Sequence, residues 1–124
     1  MTKPLALVFY ERLLPGSRLV NRLQDLGYRV QTITEAGTLA GQARSETPLV
    51  IVMDMQSARG DMGAVIQEIR KNAGTAHIPI LAFAESKNKE LQTAATLAGA
   101  NLVAVDDAVI PQLPHLLEQI LMLE

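Results

Sequence analysis

The sequence predicts an α/β protein: one doubly wound parallel sheet of five strands, covered on both faces by five helices. Three observations carry this expectation. Short apolar runs alternate with stretches of helical periodicity along the whole chain. The first and third runs are apolar almost throughout, as strands buried on both faces must be. No linker, repeat or low-complexity segment interrupts the alternation, so the 124 residues read as one domain, 1–124, large enough to bury a core of its own.

The elements follow in order. The strands are Leu5 to Tyr10, Val30 to Ile33, Leu49 to Met53, Ile78 to Phe83 and Leu102 to Val105. Leu19, Val20, Leu23 and Leu26 share one face of the first helix, which Gly27 closes. Ala36, Leu39, Ala40 and Ala43 mark the second helix, and Met62, Val65, Ile66 and Ile69 the third. The fourth carries Leu91, Ala94, Ala95 and Ala98 between a cap at Ser86 and a stop at Gly99. The fifth carries Leu113, Leu116, Leu117, Ile120 and Leu121. Pro111 and Pro114 fall near its start, where a missing backbone N–H matters little.

Composition excludes several function classes. With 48% hydrophobic residues, 19% charged residues and a net charge of −2, the chain has neither a disordered tail nor the basic surface that nucleic acid would need. The absence of cysteine removes thiol nucleophiles, disulfides and thiolate metal sites. The apolar run "PLALVFY" meets Glu11 and Arg12 too soon to span a membrane and lacks a cleavage site, so no membrane partner and a cytoplasmic location are expected. The turn "ERLLPGS" after the first strand is unlike a glycine-rich phosphate cradle, although Gly16 and Ser17 offer a weak anion site. His77 and His115 fall away from the carboxyl ends of the strands, where ligands of open α/β sheets gather, so no Ser/His/Asp arrangement can be drawn. Asp54, at the end of "VIVMD", lies at that edge.

Four phrases carry a resemblance: "LQDLGYRV", "TPLVIVMDMQ", "HIPILAFAES" and "AGANLVAVDD". Together they resemble the CheY-like receiver domain of two-component response regulators, over the whole chain and with ungapped spacing. The resemblance implies a flavodoxin-like strand order, 2-1-3-4-5. It also implies an active site of two acids after the first strand, a phosphoryl-accepting aspartate after the third, a hydroxyl residue after the fourth and a lysine after the fifth. Here Tyr10 and Glu11 hold the acid positions and Asp54 the acceptor position, while Ala84 replaces the hydroxyl residue and Asp106 the lysine. The aromatic switch position is Val103, Asp107 replaces a proline, and Ser57 and Ala58 replace the methionine–proline pair after the acceptor.

These departures imply a degenerate pseudo-receiver with no enzyme activity. Phosphoryl transfer to a carboxylate needs a divalent cation and a fixed positive charge, and Asp106 reverses the charge that the lysine supplies. Within the pocket, the Tyr10 ring is expected to fill the emptied space, and Lys87 reads either as a substitute countercharge or as a solvated surface lysine. Glu11, Asp54 and Asp106 read either as separate solvated acids or as an oxygen-rich Mg2+ or Ca2+ site, with Glu11 and Asp54 the candidate metal ligands. Function then falls to an interaction face containing Val103 and the last helix, where Met122 and Leu123 extend the apolar stretch toward a homodimer, a signalling protein or a fused output domain. The alternatives are an atypical receiver phosphorylated at Asp54 and a small-molecule or metal sensor built on the acidic pocket.

Overall fold

The computed structural model describes residues 3–58 and 60–122. In chain order they form β1 (Leu5–Phe9), α1 (Leu13–Asp25), β2 (Arg29–Ile33), α2 (Ala36–Glu46), β3 (Val50–Asp54), α3 (Met62–Lys71), β4 (Ile80–Ala84), α4 (Lys89–Ala98), β5 (Leu102–Val105), α5 (Asp106–Val109) and α6 (Leu113–Leu121). The strands are all parallel in the order β2-β1-β3-β4-β5. The doubly wound sheet is as the sequence implies, and its strand order is as the family resemblance implies.

Strand side chains alternate between the two faces, and the sequence places apolar residues on both. Leu7, Phe9, Ile51, Met53, Ile80 and Ala82 pack against Leu39 of α2, Ile66 and Ile69 of α3 and Ala95 of α4. Ala6, Val8, Val50, Val52, Leu81 and Phe83 pack on the other face against Leu19 and Leu23 of α1 and Leu113, Leu117 and Ile120 of α6. The three inner strands β1, β3 and β4 are buried along their whole length, whereas the edge strands β2 and β5 are only partly so.

The helix ends show which sequence signals decide. Gly27 takes φ +93° after α1, where Tyr28 N–H bonds to Leu23 C=O and Gly27 N–H to Gln24 C=O. That pair of bonds is the Schellman closure, and it requires the left-handed backbone glycine adopts without strain. Ser86 is not the cap of α4. The helix begins three residues later, and the Asn88 side chain accepts the Leu91 N–H at 3.2 Å. Asparagine caps as well as serine does, so local preference alone could not separate the two positions. The expected fifth helix is present as α6, with Pro114 in its first turn, and an additional four-residue helical turn, α5, precedes it directly after β5. Leu123 lies outside the described residues.

Candidate functional site

Parallel pairing puts the carboxyl ends of β1, β3, β4 and β5 along one edge of the sheet. Asp54 is the last residue of β3, and none of its surface reaches solvent. A carboxylate buried to that degree needs partners. Its principal partner is Arg12, 42 residues earlier, at the N-cap of α1 on the loop that leaves β1. Arg12 Nε donates to Asp54 Oδ2 at 2.7 Å and Nη2 donates to Oδ1 at 2.8 Å, a side-on bidentate pair. Gln56 N–H completes the shell, donating to Oδ1 at 2.9 Å.

The same guanidinium holds a second acid. Nη1 and Nη2 donate to the two oxygens of Asp106, at 2.8 and 3.1 Å, where α5 begins directly after β5. Four of the five guanidinium N–H groups are therefore engaged by two carboxylates. Arg12 keeps 29% of its side-chain surface exposed and Asp106 22%, so the cluster grades from a dry end at Asp54 to a wet end at Asp106. Burial pushes the Asp54 carboxyl above the usual carboxylate range, with the bonds from Arg12 and Gln56 opposing it. The Arg12 guanidinium rises above its ordinary value, chiefly through its bond to Asp54.

Glu11 is turned away from this cluster. It accepts hydrogen bonds from the Ser57 hydroxyl and, at 3.0 Å, from Ala58 N–H, and so ties the β1–α1 loop to the segment after β3. Gln56 exchanges bonds with Glu85, at 2.9 Å to its carboxylate and 3.3 Å from its N–H, joining that segment to the end of β4. Ala84 is buried among apolar side chains and offers no hydroxyl. The Tyr10 ring does not fill the emptied site. It packs on the α1 side of the sheet, against Gly16, in the space a side chain at position 16 would need. The guanidinium fills the site instead. Lys87 is a surface lysine, 83% exposed, with Glu85 at 3.9 Å, and supplies no charge to the pocket.

Sequence reasoning therefore placed Asp54 and Asp106 together but missed Arg12, the residue that joins them. A signal was present: an arginine directly follows the Tyr10–Glu11 pair, on the loop that leaves the carboxyl end of β1. A cleft of about 730 Å³ opens beside the cluster, with Glu11, Arg12, Gln56 and Asp61 on its polar side and Met55, Met62 and Leu91 on its apolar side.

No family model matches the chain, and no curated protein matches it. Solved structures do. A candidate response regulator from Chloroflexus aurantiacus superposes with a TM-score of 0.89 at 19% identity, over 97% of this chain and 98% of the other. The chain folds as a response-regulator receiver domain. The receiver domain of a sensor histidine kinase from Pseudomonas aeruginosa follows at 0.85 and 20% identity, over 97% and 98% of the two chains. A chemotaxis response regulator of Vibrio cholerae gives 0.84 at 19%, over 96% and 99%.

The Pseudomonas receiver holds a magnesium ion in its active-site cleft. The residues of the present receiver fold do not fit one. Both Asp54 oxygens already accept bonds from Arg12, both Asp106 oxygens do the same, and Glu11 is committed to Ser57 and Ala58. Among the described residues no group of three or more His, Cys, Asp or Glu side chains converges as a metal-binding set. The expected Glu11–Asp54 metal pair is thus replaced by a carboxylate–guanidinium pair.

Proposed function

We propose that the chain is a pseudo-receiver: a non-catalytic signalling domain that works through protein–protein contacts and not through aspartyl phosphorylation. The observation that supports this reading most directly is the side-on Arg12 fork across Asp54. To attack a phosphodonor, a carboxylate oxygen must present a lone pair to phosphorus, and the acyl phosphate product needs positive charge around its phosphoryl oxygens. Here both oxygens are covered, the carboxylate is sealed from solvent, and Asp106 adds negative charge where the family resemblance calls for a lysine. With Ala84 in place of a hydroxyl residue, a phosphoryl group would also lack the donor that reports its arrival.

On this reading the partner is a signalling protein or a fused output domain, docking on the face of α4, β5 and α6. Leu97 of α4 and Met122, directly after α6, are apolar side chains left 80% and 75% exposed. Val103 is only half-buried on that face and packs inward on the core, so it supports the face as well as belonging to it. The experiment is incubation with a small phosphodonor and magnesium, read by intact-mass spectrometry. The protein is expected to stay unmodified, and rapid, near-complete phosphorylation at Asp54 would defeat the proposal.

A further inference from the structure

We infer that Arg12 is a resident cation: its guanidinium takes the place of a divalent metal ion, so the wild-type cleft excludes such ions, and removing the side chain opens a cation site formed by Asp54 and Asp106. This inference rests on the pseudo-receiver reading and extends it to the ionic requirements of the site. Two carboxylates, one fully buried, face one cationic group that contacts all four of their oxygens. Magnesium would have to compete for those oxygens against a charge that is covalently tethered and already partly desolvated. It gives up its own water reluctantly and is at a disadvantage in that exchange.

The geometry explains why the substitution needs an arginine on this loop. Only a planar donor with several N–H groups can serve one carboxylate side-on and a second end-on at once; an ammonium is a point charge and cannot present that fork. The position also matters. The N-cap backbone of Arg12 is extended, φ −82° and ψ 115°, and its side chain makes the capping-end contacts outward to β3 and α5 and none to its own helix. With the side chain gone, the two acids are left facing each other without a countercharge, which is the situation that recruits a hard cation.

The test compares wild type, Arg12→Ala, and Arg12→Ala combined with Asp54→Asn. Each is titrated with millimolar magnesium or manganese against sodium chloride of equal ionic strength and read by isothermal titration and thermal melting. Wild type is expected to bind neither ion, Arg12→Ala to bind both and melt higher in their presence, and the double variant to lose the response. Divalent binding by wild type equal to that of Arg12→Ala would overturn the inference, as would a folded Arg12→Ala that ignores both ions. Should Arg12→Ala not fold in sodium chloride, recovery in magnesium supports the inference. Failure of both Arg12→Ala and the more conservative Arg12→Gln to fold in magnesium overturns it. Phosphorylation of the wild type would instead defeat the pseudo-receiver reading, a separate result.

Discussion

Asp54 illustrates how burial and pairing compete at one residue. Its ion pair does not restore an ordinary carboxyl: desolvation outweighs the bonds from Arg12 and Gln56, and the group is raised in the fold. The folded state therefore takes up the proton at a higher pH than the unfolded chain does. Stability assignable to Asp54 is fully present below the unfolded carboxylate range and is lost as pH rises through the folded value, beyond which it stays flat. Urea unfolding of wild type and Asp54→Asn across acidic and neutral pH should show wild type gaining on the variant as pH falls through that window. The opposite slope would mean that the fork, not burial, sets the protonation of Asp54. A buried pair of this kind is a poor source of stability compared with apolar packing. Its value lies in fixing which groups meet.

Between elements, the packing of β1 on α1 turns on an absent side chain. Gly16 lies within the first turn of α1 with the Tyr10 ring directly over it, so even a methyl group at position 16 would overlap the ring. Gly16→Ala is expected to destabilise the domain by about 1–3 kcal/mol, the usual range for overpacking, and Tyr10→Ala in the same chain should recover part of the loss; thermal or urea melts check both. At the opposite edge of the sheet Arg70 of α3 does comparable work without a carboxylate, donating to the carbonyls of Ala76, Ile78 and Gly99 and to the Asn101 side chain. The elements themselves were legible because periodicity two and periodicity 3.6 are properties of neighbouring residues. Leu19 and Leu23, or Ile66 and Ile69, declare their face without reference to anything distant. The cap of α4 was less legible, since Ser86 and Asn88 both suit the role and only the helix start decides. Least legible was the Arg12 fork. Asp54 and Asp106 could be placed by their strand ends, but which cation reaches them depends on a side-chain direction that no local pattern encodes, and Tyr10 was assigned the space that Arg12 takes.

For the whole molecule, two cores on either side of one sheet leave the carboxyl-end edge as the place where distant segments meet. Among the described residues no helix is long and apolar enough to cross a membrane. Arg12 joins Asp54 across 42 residues and Asp106 across 94, so a single guanidinium links the beginning, middle and last quarter of the chain. Such a link closes two long loops, and loop closure of that span is entropically unfavourable until the sheet has already brought the ends together. The fork should therefore form after the rate-limiting step of folding and act on the return path. Arg12→Ala is expected to leave the refolding arm of a stopped-flow chevron nearly unchanged while raising the unfolding rate. An equal slowing of refolding would place the link inside the nucleus. A residue that covers both oxygens of Asp54 would in this way also serve as the latch that sets how long the native state survives once formed.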